Sequence, residues 1–183
     1  MTETLKVPFN RSYWVVPGKL LAGCYPGSED PIEEEKNLIG LIQAGIRHVI
    51  SLIEPQEYDH SENPFAPYVD NMETIAETIK ISVTFDQISI KDFSVPTERQ
   101  MIRILNQIDM CINYDKPVYL HCWGGKGRTG TVVGCYLARH GMAAGSDVIK
   151  KIKELRKNTE DFSDPSPETR EQINMVIKWG KDL

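Results

Sequence analysis

Cys122 and Arg128, a thiol and a guanidinium with five residues between them, lie in the stretch His121-Cys122-Trp123-Gly124-Gly125-Lys126-Gly127-Arg128-Thr129-Gly130. An apolar strand, Val118 to Leu120 behind Pro117, precedes it, and an apolar helix, Thr131 to Arg139, closed by Gly141, follows. A glycine-rich turn feeding a helix N-terminus turns backbone N–H groups toward anions, and the helix dipole adds positive potential at the same place. Trp123, Gly124, Gly125, Lys126, Gly127 and Arg128 are therefore the expected phosphate-binding residues. An ionised sulfur at Cys122 would collect the hydrogen bonds a phosphate would, which marks it as an activated nucleophile. Arg128 can grip two phosphoryl oxygens with its planar fork, which a lysine does less well.

Two other glycine-loop chemistries fail on context. Gly125 to Gly130 spells G-x-G-x-x-G, but a dinucleotide fingerprint needs an acidic residue at the end of a strand about twenty residues on, and Lys150 to Lys153 is a basic helical run. A Walker loop needs Ser or Thr directly after Gly-Lys, and Gly127 follows Lys126.

His-Cys, five residues, Arg, then Ser or Thr resembles the signature loop of the cysteine-dependent protein tyrosine phosphatase superfamily, with every fixed position present from His121 to Thr129. A second loop, Asp92-Phe93-Ser94-Val95-Pro96, thirty residues before the cysteine, resembles the general-acid loop of the dual-specificity type. Together the two loops lie nearest the pattern of the cyclin-dependent-kinase-associated phosphatases. The resemblance implies attack by Cys122 on phosphorus, protonation of the leaving oxygen by Asp92, and hydrolysis of the cysteinyl-phosphate, with no metal and no cofactor. It further implies a Thr129 hydroxyl bonded to the sulfur and a loop braced by His121. Gln172 is similar to a late glutamine that positions water in some relatives, although its place in a polar helix face is the better explanation. Asp86 is the fallback acid. His48, His60 and His140 have no matching partners in this pattern and are expected bystanders.

The expected substrate is a phosphorylated protein or a small phosphate ester, with phosphotyrosine and phosphoserine or phosphothreonine both open. The alternative is an inositol phosphate or phosphoinositide. The phosphoinositide 3-phosphatase pattern Cys-Lys-Ala-Gly-Lys-Gly-Arg has two lysines, and here Lys126 keeps the second while Trp123 replaces the first. A phospho-residue binding module without turnover conflicts with intact Cys122, Arg128 and Asp92. A redox protein would use Cys111 or Cys135 as resolving thiol, and Cys135 reads more simply as a helical core residue.

The chain must position these groups with 183 residues, 40% of them hydrophobic, enough for one core; a single catalytic domain over 1–183 is expected. A net charge of -5 leaves no basic face for nucleic acid. No stretch approaches the roughly twenty apolar residues of a membrane span, and Met1 to Lys6 has no apolar signal core. Four cysteines without C-x-x-C spacing fit a reducing compartment, so a cytoplasmic location without membrane insertion is expected.

Strands are expected at Tyr13 to Val16, Lys19 to Ala22, Arg47 to Ile53, Ile81 to Phe85 and Ile88 to Ile90. Helices are expected after Asp30, with Pro31 first and Glu33 completing a capping box, over Tyr68 to Ile79, after Thr97 with Gln100, and over Ser146 to Lys157 and Glu168 to Trp179. Glu54 to Pro67 reads as a long loop. Strands alternating with helices imply an α/β domain with a central, largely parallel sheet flanked by helices, as in protein tyrosine phosphatases, with the signature loop at a strand's carboxyl end.

Overall fold

The apolar runs form five strands in a computed structural model that describes residues 5–59 and 62–180: β1 (Ser12–Val16), β2 (Leu20–Gly23), β3 (His48–Ser51), β4 (Thr84–Gln87) and β5 (Val118–His121). Their order is β1-β2-β5-β3-β4, with β1 antiparallel to β2 and all other pairs parallel. Side chains alternate across a strand, and the alternation divides the core in two. Leu20, Ala22, Ile50, Val118 and Leu120 face one layer, while Leu21, Val49 and Tyr119 face the other.

The second layer is covered by α1 (Pro31–Gln43) and α2 (Val69–Thr78), through Leu38, Leu41, Ile42, Met72 and Ala76. The first is covered by α3 (Glu98–Asn113), α4 (Arg128–Arg139), α5 (Asp147–Leu155) and α6 (Arg170–Lys178). Helix α4 is hydrophobic nearly all round because α3, α5 and α6 surround it, and every residue from Arg128 to Ala138 is buried. Helix α4 is thus the most enclosed helix of the fold.

Helix starts differ from expectation in detail. Asp30 caps α1 by accepting from the Ile32 amide, but Glu33 turns to the Ser28 hydroxyl, so no capping box closes. Thr97 caps α3 through the Gln100 amide, while the Gln100 side chain donates to Ser89 O. Ile88 to Ile90 is not a strand. Its amides still reach Ser51 O and Leu52 O, but the carbonyls of Ser89 and Ile90 are taken by the side chains of Gln100 and Arg128, which ends the ladder. That diversion turns the chain toward Arg128 at the start of α4. Among the described residues, no helix is long and apolar enough to cross a membrane.

Candidate active site

Central strand β5 ends at His121, and the chain then curls through six residues, Cys122 to Gly127, before α4 begins at Arg128. The curl turns its carbonyls outward. His121 Nδ1 bonds the carbonyl of Cys122, the Tyr25 amide donates to that of Trp123, and Arg11 donates to that of Gly124. Ser166 and the Gly130 amide donate to Lys126 O, and Thr131 donates to Gly127 O. The amides consequently turn inward, and Gly125 N donates to Cys122 Sγ at 3.3 Å. Gly125 has φ +73°, and a Cβ there would fall within 2.5 Å of the Gly23 backbone, so only glycine closes this turn against β2.

Cys122 is 3% exposed and Arg128 2%. Two buried polar atoms of the residues that open α4, Arg128 Nε and Thr129 Oγ1, have no hydrogen-bond partner. Thr129 does not bond the sulfur in this structure, whereas the resemblance implied that it would. Buried donors are almost always satisfied; two orphans at the mouth of an anion-binding turn match a site built for oxyanions.

The other end of the guanidinium is occupied. Arg128 Nη1 and Nη2 donate to both carboxylate oxygens of Glu57 at 2.6 Å each, Nη1 also to Ile90 O at 3.1 Å, and Nη2 lies 3.0 Å from Asp92 Oδ1. Burial pulls the Arg128 pKa down, but the Glu57 hydrogen bonds and the charges of Cys122 and Asp92 more than offset this and hold it above its ordinary range. Glu57 escaped the sequence reading because it sits in the long loop with no periodic or motif signal; only its acidic type, close to the end of β3, hinted at a role. Asp92 does come to the site, with its Oδ1 also accepting from Phe93 N at 3.0 Å.

His121 is fully buried. Its Nδ1 lies 3.1 Å from Cys122 O, which can only accept, so Nδ1 carries the proton and Nε2 accepts from the Tyr68 hydroxyl at 2.7 Å. Burial pushes its pKa down to about 4, so the ring is neutral and of fixed tautomer near neutral pH. Tyr68 is a second residue the sequence reading missed.

Lys126 turns to Asp164, 2.7 Å from its carboxylate, and the bond holds Asp164 below the usual carboxylate range. Trp123 stands at the loop's outer edge, 6.4 Å from the Phe65 ring between centroids. Gln172 is buried behind Gly127 and completes a capping box with Thr169. Asp86 belongs to a different place: it pairs with His48 at 3.2 Å on the β3–β4 edge. His48 also bonds Thr84, and His140 pairs with Asp109, so both have partners that the sequence did not reveal; His60 lies outside the described residues. Cys111 and Cys135 are free and buried, while Cys24 follows Gly23, the register partner of His121, which sets it beside Cys122.

Comparison with known proteins agrees with this geometry. A family model described as the Swiss Army Knife protein, DSP-PTPase phosphatase domain, matches residues 9–172. The chain belongs to this dual-specificity phosphatase family. Mouse dual specificity protein phosphatase CDC14B is 26% identical over 156 residues, covering 78% of this chain and 27% of CDC14B. The phosphatase domain thus spans about a quarter of the length of the curated CDC14 relatives it matches. Solved structures share its fold. Kinase associated phosphatase superposes with a TM-score of 0.64 at 17% identity, covering 96% of this chain and 94% of that one. PTPMT1 in complex with PI(5)P gives 0.64 at 16% identity, covering 92% and 93%.

Proposed function

We propose that this phosphatase domain hydrolyses phosphomonoesters on protein side chains, phosphotyrosine and/or phosphoserine and phosphothreonine, through a cysteinyl-phosphate at Cys122. The observation that carries the reading is the Cys122 sulfur under the Gly125 amide, in a turn whose carbonyls bond outward, beside a buried Arg128 Nε with no partner. The Cys122 thiolate forms the S–P bond as the P–O bond breaks, and Asp92 gives its proton to the departing oxygen. Asp92 then accepts a proton from the water that cleaves the S–P bond and releases phosphate. The inward amides and Arg128 stabilise the equatorial oxygens in both steps, the largest contribution to the rate.

For the substrate, the Lys126–Asp164 pair favours protein esters, because the lysine that would meet a second phosphate is already neutralised. The CDC14 relatives, named as dual specificity protein phosphatases, support the same choice. A phosphoinositide or inositol-phosphate substrate is the second reading, favoured by the shared fold of a PTPMT1 structure holding PI(5)P. Four free cysteines, one of them the nucleophile, support a reducing, cytoplasmic setting. A competition panel of phosphotyrosyl peptide, phosphothreonyl peptide and inositol phosphates tests the substrate: preference for either peptide is expected, and preference for the inositol phosphates would overturn it. Cys122→Ser should abolish turnover while phosphate binding persists; retained turnover would remove the nucleophile.

A further inference from the structure

Gln172 has no exposed surface, so each end of its amide must find a partner inside the protein. Its Oε1 accepts from the amides of Glu168 and Thr169, both at 3.1 Å, and its Nε2 donates to Ser94 O at 3.2 Å. The partners fix the orientation, since amide N–H groups only donate and a carbonyl only accepts. A Cβ placed on Gly127 would lie 3.2 Å from Nε2 and 3.3 Å from Oε1, so the amide rests directly on the phosphate loop. One side chain therefore joins the start of α6, the phosphate loop and the loop that carries Asp92.

Ser94 is two residues after Asp92, and Ile90, two residues before it, gives its carbonyl to Arg128. The acid-bearing loop hangs from two buried donors, Arg128 on one side of Asp92 and Gln172 on the other. Between them Phe93 adopts φ +56°, a left-handed conformation unfavourable for a bulky residue, and the residue is 54% exposed, so core packing does not enforce it. Such a backbone persists where its flanks are fixed.

We propose that Gln172 is a positioning residue that holds Asp92 at the distance proton transfer requires, by clamping Ser94 against the phosphate loop. The inference rests on Asp92 being the general acid. Gln172→Glu keeps both acceptor contacts and loses the donation to Ser94. Gln172→Met removes the amide at similar length and carries the test if the glutamate variant does not fold. Both are assayed with aryl phosphates of graded leaving-group pKa. A working acid makes the rate of the wild-type protein nearly independent of the leaving group, and Asp92→Asn makes it steeply dependent. The Gln172 variants should show the same steepening, with kcat on the poorest leaving groups falling about 10- to 100-fold and activated esters least affected. Combining either with Asp92→Asn should add little further loss. A loss equal across the series, or fully additive with Asp92→Asn, would overturn the positioning role while a steep Asp92→Asn series leaves the acid standing. A flat series for Asp92→Asn would overturn the acid assignment and the positioning role together.

Discussion

Glu57→Gln tests the grip on Arg128 most directly. The two side chains are 1% and 12% exposed, so water screens the pair poorly and its loss should register in stability. Removing one partner of a buried pair costs about 3–5 kcal/mol, and a charge-assisted hydrogen bond about 1.5–3. Arg128 keeps Asp92 at 3.0 Å and Ile90 O at 3.1 Å, which brings the expected cost toward the lower end. Glutamine retains one acceptor and sets an N–H against a guanidinium N–H, so Glu57→Gln should lose about 2 kcal/mol and Glu57→Ala about 3. The assay is urea unfolding at neutral pH together with kcat/KM on p-nitrophenyl phosphate. An unguided Arg128 presents its free Nε edge at the wrong place, and a displacement near 1 Å costs about 100-fold, so kcat/KM should fall about 10- to 100-fold. Stability within about 0.5 kcal/mol of wild type and kcat/KM within about twofold for both variants would refute the reasoning, since that is the range of an ordinary surface substitution.

Three further outcomes follow from neighbouring groups. His121 is neutral when folded, with its pKa depressed to about 4 from 6.5, so the unfolded chain binds the extra proton. The stability this group contributes is whole above pH 6.5 and is lost as pH falls toward 4, on the order of 3 kcal/mol in all; urea titrations of His121→Gln should lack that part of the acid slope, and an unchanged slope would refute it. Peroxide should convert the Cys122 thiol to a sulfenic acid that condenses with Cys24, losing water. Mass spectrometry should find that disulfide, and not one to Cys111 or Cys135, with reductant restoring activity; full activity after peroxide would exclude it. Asp164→Asn releases Lys126 from its 2.7 Å partner and should raise activity on inositol polyphosphates relative to a phosphopeptide severalfold; an unchanged ratio would show that Lys126 does not face substrate.

What the sequence made visible was local. Strand, turn and helix around Cys122 are contiguous, and the Pro31 and Gly45 punctuation of α1 is carried by single residues, so periodicity and cap chemistry suffice. Glu57, Tyr68 and Asp164 reach the site from 71, 53 and 38 residues away along the chain, a separation that no spacing rule encodes. Thr169 and Gln172 spell a T-x-x-Q capping box, yet the sequence alone suggests a water ligand or a polar face for the glutamine, because burial at that position comes only from α6 lying against the phosphate loop. Glu33 has the right spacing for a box, but it accepts from the Ser28 hydroxyl, whose oxygen takes the Asp30 amide in its place.

Because Glu57 belongs to the 54–67 loop and Arg128 to the anion-binding turn, the two segments are thermodynamically linked. Whatever restrains that loop changes oxyanion affinity by some factor, and oxyanion binding must change the loop's own equilibrium by the same factor. Order in the segment after β3 is then a readout of occupancy at the site to which it lends Glu57.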